Sequence, residues 1–353
     1  MTNSEKNTVL HLQLNNRPAQ LKLMPRRKIR VLLRVLLTAQ QSILVGGQAI
    51  IEGVMMRVPG AYAIAVRNPK GEIITRREEF VSLTEKHSLL RKPVLRGMIA
   101  LFESMKMGVK TLNESAEIAY EEDAAEDMSF KDKVLSFLGT LLALGIGLGL
   151  FFVTPIFVTG NLLNLHETAF TFNIVSGVIR IALFLSYLWA ISLMKDVKRL
   201  FQYHGAEHKT VYTFEAGKNL DLESARPFQT QHPRCGTSFM FIVLLSSIIV
   251  FALIDSVVKL FVGEMTLQIR LLTHLPLIPL VAGVSYEVLK LSSKYRYIAW
   301  VRALAAPGIW LQNITTREPD DDQLSVALES LKFAFGDDLE KYQGQTYVAE
   351  AID

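Results

Sequence analysis

The sequence predicts an α-helical polytopic membrane protein, with four transmembrane helices, a small cytoplasmic α+β unit ahead of them and an amphipathic C-terminal helix behind. Three observations carry this. Half of the 353 residues are hydrophobic and the mean hydropathy is positive, which is more apolar than a soluble domain of this length requires. Several uncharged runs are long enough, at about 1.5 Å per residue, to cross a hydrocarbon core roughly 30 Å thick. Lysine and arginine gather in alternate loops, the pattern that orients spans in a membrane.

Residues 1–20 are polar, lack the apolar core of a secretory signal and read as a disordered tail. In residues 21–42, Lys22, Arg26, Arg27, Lys28, Arg30 and Arg34 alternate with leucine, valine and isoleucine. That pattern suits a basic amphipathic helix lying on an anionic membrane surface. Residues 43–130 change character and predict a cytoplasmic α+β unit. Within it, 61–67 and 72–80 read as paired strands joined by a turn at Asn68, Pro69, Lys70 and Gly71. A helix follows over 89–120, its apolar face marked by Leu95, Met98, Ile99, Phe102 and Met105. Residues 121–127 form an acidic connector.

The transmembrane domain is expected over 131–292, with spans at 134–158, 172–194, 239–261 and 271–289; the last contains Pro276 and Pro279. Loop 159–170 has no lysine or arginine, loop 195–237 has seven and loop 262–270 has only Arg270. Both termini and the middle loop are therefore expected in the cytoplasm of a bacterial inner membrane. Arg180 and Asp255 fall at matching depths of the second and third spans. Ionisable groups inside a membrane are usually paired, so an Arg180–Asp255 ion pair is expected, as a helix clamp or a proton relay. Residues 293–353 predict a cytoplasmic helical segment, interrupted at Pro307 and Gly308. An amphipathic helix capped by Asp320, Asp321 and Asp322 follows, with Leu324, Leu328, Leu331 and Phe335 on one face; 340–353 read as loose.

The net charge of +4 comes from basic clusters beside the spans, which fits a lipid partner and not nucleic acid. Cys235 is the sole cysteine, so no internal disulfide forms. The chemistry-bearing segment is His204-Gly205-Ala206-Glu207-His208 in the middle loop. On a helix, His204 and His208 lie one turn apart on one face. The string H-x-x-E-H is the inverted form of the zinc-protease helix motif. Two such imidazoles bind one divalent metal, zinc above all, and Glu207 is placed to act as general base. A third ligand is needed, and His232, Cys235 and Glu215 are the candidates, with Glu287 farther off. Gly217 is a plausible helix stop. Glu52 and Arg57 read as a solvated or interface pair, and His87, His166 and His274 are single and take no role.

The stretches GGQAIIEGVMMR, FQYHGAEHKTVYTFEAG and HPRCGTSF, in this order, resemble a bacterial membrane family, domain of unknown function 1385, across roughly residues 43–338. Its members are sometimes described as predicted metal-dependent enzymes, so the resemblance implies this architecture and a metal at His204, Glu207, His208, His232 and Cys235. The expected function is a metal-dependent hydrolase acting at the cytoplasmic membrane face on a lipid-linked or membrane-protein substrate. Two alternatives stand beside it. One is a scaffold or assembly factor with structural loop histidines; the other is a small oligomeric transporter using Arg180, Asp255 and Glu287.

Overall fold

The computed structural model describes residues 45–121, 130–165, 168–295 and 298–347. The expected tail, the basic surface helix of 21–42, His166 and most of the acidic connector lie outside them. The chain is mostly helical, with one four-stranded antiparallel sheet in the order β1 (Gly46–Ile50), β2 (Gly53–Val58), β3 (Ala61–Arg67) and β4 (Ile73–Glu79). β3 and β4 pair from Ala61–Glu79 to Arg67–Ile73. The expected turn closes them: the Gly71 amide donates to the Asn68 carbonyl at 2.9 Å, with Gly71 at φ +87°. β2 and β3 read as continuous apolar runs because both sheet faces are covered. One face carries Val54, Met56, Ala63 and Ala65, and the other Met55, Ile64 and Val66.

Helix α1 (Leu95–Tyr120) covers the second face, but not with the stripe expected of it. Its buried positions are mostly small or polar, including Gly97, Thr111 and Ser115, while Leu95, Phe102 and Met105 face outward. The reason is close approach. A Cβ on Gly97 would lie 2.6 Å from Tyr286 Cβ and 3.0 Å from Gly283 Cα, so α1 packs backbone to backbone on a later helix.

Among the described residues, three helices are long and apolar enough to cross a membrane, over Phe137–Leu162, Ala169–Ile191 and Gly236–Val262; a fourth counts if one bent pair is a single span. The first begins as α2 (Phe130–Leu148) and continues through two wide turns around Pro155. Helix α3 (Ala169–Ile191) is capped by Thr168. Helix α4 (Lys195–Glu215) is a separate helix set off by Met194, and ends with Gly217 at φ +65°. Helix α5 (Gly236–Val262) packs on α3, where Gly177 leaves room for Ile248. The expected fourth span is not one helix: α6 (Leu267–His274) and α7 (Ile278–Lys294) meet at 58°. Pro276 sits at the break, where it has no amide to continue the ladder. Proline does not act alike everywhere, since α8 (Ala299–Thr315) runs through Pro307 where a break was expected. α8 packs on α5 there, with a Cβ on Gly308 only 3.0 Å from Ser238 Cα.

Helix α9 (Asp321–Phe335) begins with the Asp320–Gln323 capping box, and Leu324, Leu328, Leu331 and Phe335 are all buried against the sheet and α4. Residues expected to be loose are partly fastened: the Tyr347 ring stacks on Phe214 at 5.1 Å and its amide donates to the Glu215 carbonyl.

The expected Arg180–Asp255 pair is not formed. Arg180 Nε donates to the Phe151 carbonyl at 2.9 Å and its fork reaches Ser247 at 3.3 Å. Phe151 lies in the wide turn just before Pro155, which has no amide to offer that turn. Asp255 is fully buried and binds Arg270, His274 Nε2 at 2.8 Å and Asn173 Nδ2 at 2.8 Å. His274, assigned no role from sequence, is thus part of this network. Replacing Asp255 with leucine strands the Arg270 cation and is expected to cost about 3–5 kcal/mol. The double variant Asp255→Leu/Arg270→Leu should recover most of the loss in a denaturant titration in detergent.

Candidate functional site

Helix α4 presents residues 204, 207, 208, 211 and 215 along one face, the i, i+3, i+4, i+7 spacing of a single stripe. The helix lies against β1 on one side, with α9 and the 226–234 segment on others. His204 Nδ1 is 2.8 Å from the Thr315 carbonyl at the end of α8, and His208 Nδ1 bonds the Thr230 carbonyl. A carbonyl only accepts, so both rings carry their proton on Nδ1 and keep the Nε2 lone pair free. Burial is the main force pushing both imidazoles below the ordinary histidine range, which favours the neutral form. Their rings stand 4.5 Å apart.

Cys235 caps the start of α5, and its sulfur accepts from the Thr237 amide at 3.5 Å. Sγ is 3.2 Å from His204 Nε2. One ligand atom from each of His204, His208 and Cys235 lies within 4.8 Å of the others. Zinc–ligand bonds of roughly 2.0–2.3 Å place tetrahedral ligands about 3.3–3.8 Å apart, so the set is close to the size of one such ion.

His232 and Glu215 fall beside this trio and not in it. The Arg234 amide donates to His232 Nδ1 at 3.3 Å, which puts the His232 proton on Nε2, 3.5 Å from Glu215 Oε2. Its tautomer is therefore the reverse of the other two, and burial pushes it down to about 4. Gln312 clamps its backbone from both sides, at 2.7 and 2.8 Å. Glu215 is held by Arg234. Glu287 is far from this role, bound to Arg96 at 2.5 Å and to the Val94 amide at 3.1 Å.

Glu207 is buried, its carboxylate accepts from the Gly47 amide on β1, and Oε2 is 3.4 Å from His208 Nε2. Burial pushes this carboxyl above the ordinary range, against the nearby histidines, which pull it down. Glycine is required here by the sheet and suits the approach of α4: a Cβ on Gly47 would run into the Met55 carbonyl of β2 and sit 3.1 Å from Glu207 Cγ. The group opens on a cavity of about 370 Å³. Its walls come from the β1 edge, β2, α1, α4, α5 and α7, and are largely apolar. The size is within the range of small-molecule sites.

A family model described as "Protein of unknown function (DUF1385)" matches residues 92–337. The chain belongs to that family. The matched stretch contains all five residues named from the motif, and begins after the sheet that supplies Gly47. The chain is also 34% identical over 304 residues, 81% of its own length and 90% of the relative's, to "Uncharacterized protein YqhQ" of Bacillus subtilis (strain 168). No solved structure matches it.

Other features of this family member's site have no sequence signal. The carbonyls of Thr230 and Thr315 belong to no motif, and Gln312 lies 80 residues from its partner. The expected Glu52–Arg57 pair is not formed: Glu52 binds Arg199 and Tyr203, whereas the Arg57 guanidinium lies 4.4 Å over the Phe80 ring. Gly47→Ala is expected to lower unfolding stability by about 1–3 kcal/mol through overpacking. Gly46→Ala, which places its Cβ in open space, should leave the melting temperature in detergent nearly unchanged.

Proposed function

We propose that this chain is a metal-dependent enzyme, a hydrolase working at the cytoplasmic face of the bacterial inner membrane on a lipid-linked or membrane-protein substrate. One observation carries the reading: two neutral imidazoles with Nε2 free and one cysteine sulfur converge at the rim of a cavity, next to a buried carboxyl group. The donor set suits a divalent ion of the zinc type, because nitrogen and sulfur ligands are what zinc takes. His204, His208 and Cys235 would hold it, and the carbonyls behind both imidazoles fix their orientation as outer-shell partners do. When bound, such an ion polarises a carbonyl or phosphoryl oxygen and makes water a nucleophile near neutral pH.

Glu207 supplies the proton chemistry. Its amide contact with Gly47 fixes the carboxyl beside His208, and burial raises its hold on a proton. A group that takes a proton from water and returns it to a leaving group works best with a pKa near the working pH. His232 and Glu215 brace the same loop through Gln312 and Arg234. The apolar spans and the basic middle loop support a bilayer around α2, α3, α5 and the α6–α7 pair, with the site and both termini on the inner side.

Features that suggested the other readings are engaged elsewhere. Among the described residues Arg180, Asp255 and Glu287 are not hydrogen-bonded to one another, and each is engaged by other partners, which favours structural roles for them. The apolar face of α9 is buried in the chain's own core and offers no docking surface.

Elemental analysis of detergent-purified protein tests the reading. Wild type should carry about one zinc-type ion per chain, and His204→Ala/His208→Ala and Cys235→Ala should lose it while keeping their elution volume. Glu207→Gln should keep the metal and lose turnover by about 100-fold or more, the usual weight of a general base. Equally metal-free wild type and double variant would remove the mechanism.

A further inference from the structure

The same cavity has a second polar pole, on the far side of the sheet edge. β1 is an edge strand, and Gly46 stands opposite Arg57 in the β1–β2 register. Residues of one strand alternate between faces, so Arg57 shares the α1 side with Met55, while Gly47 meets α4 and Glu207 on the other. Both groups line the cavity, which therefore wraps around the start of β1. No side chain fills the space at that corner, because a Cβ on Gly46 would meet nothing within 4 Å.

Among the described residues, the Arg57 guanidinium has no hydrogen-bond acceptor and no ion-pair partner; its contact is the face of Phe80. Glu103, the carboxylate that acts on it most strongly, makes no hydrogen bond to it among the described residues. Glu103 accepts from Ser82 Oγ at 2.8 Å with one oxygen and from the Leu83 amide at 2.6 Å with the other. Burial disfavours the Arg57 cation, and Glu103 and Glu85 only offset this from a distance. A half-buried guanidinium with five unclaimed donors is matched by an oxyanion, which its planar fork binds in two parallel hydrogen bonds. Around it the cavity wall is largely apolar, with Leu101 on α1, Phe239 on α5 and Leu289 on α7, the last two on helices apolar enough to belong to candidate spans.

We propose that Arg57 is the head-group clamp of this cavity, and that the ligand is an anionic lipid whose phosphate binds Arg57 while its chain lies along the apolar wall. This names the substrate class of the proposed enzyme and rests on reading the cavity as its substrate site. It does not require the metal.

The test is equilibrium binding of dioctanoyl phosphatidic acid to the full-length protein in a neutral detergent, with dioctanoylglycerol and inorganic phosphate as comparison probes, on zinc-loaded and chelator-treated samples. Wild type should bind the phosphatidic acid at least tenfold more tightly than either probe. Arg57→Gln should lose at least tenfold, and Arg57→Lys should fall between, with elution volume and metal content as in wild type. Equal binding of dioctanoylglycerol, or no loss in Arg57→Gln, overturns the clamp while leaving the metal reading intact. Inorganic phosphate binding as tightly as the lipid overturns the lipid assignment. Arg57-dependent binding in a protein that never takes up metal supports the clamp and counts against the hydrolase.

Discussion

Everything at the site hangs on how closely α4 approaches the edge of the sheet. The helix comes in over a residue without a side chain, and the amide of Gly47 is thereby delivered to Glu207. That contact fixes the rotation of α4 about its axis. With the rotation fixed, His204 and His208 face α8 and the 226–234 segment, whose carbonyls accept hydrogen bonds from their Nδ1 atoms. A helix held one methyl group farther out would leave those imidazoles without anchors and the carboxyl without its donor. The sheet is small, but it positions the chemistry, and α9 and α1 serve to hold it rigid from its two faces.

Much of this was legible in the sequence, for reasons tied to period. The stripe of α4, the β3–β4 hairpin with its Asn-Pro-Lys-Gly turn, the four apolar positions of α9 and three of the spans all follow from spacing and turn chemistry. Choosing among three third-ligand candidates did not. His232 and Cys235 are both competent by residue type, and what separates them is position: the Cys235 sulfur converges with His204 and His208, while His232 is held by the Arg234 amide and Gln312. Sequence carries no signal for a tautomer. α1 misled for a different reason: its apolar residues do mark a face, but glycine and small polar side chains mark the face that packs closest.

Depth arguments within the spans met a similar limit. Arg180 and Asp255 were matched as opposite charges, which treats the interior as a place where only charges need partners. The backbone has equal claims there. An arginine one helix away serves a carbonyl in the wide turn before Pro155, while Asp255 gathers Arg270 and His274 from the following helix.

Cys235 is at once the cap of α5 and the third member of the converging trio. The two imidazoles are anchored to Thr315 at the end of α8 and to Thr230 in the segment before α5, whereas the sulfur travels with the first turn of a 27-residue apolar helix. Sliding that helix by one residue along its axis displaces its end by about 1.5 Å, more than half of a zinc–sulfur bond. Apolar helices respond to the thickness of the surrounding hydrocarbon by tilting or shifting. In a bilayer, the geometry of the trio would thus be joined, through a single sulfur atom, to the thickness of the layer around that helix.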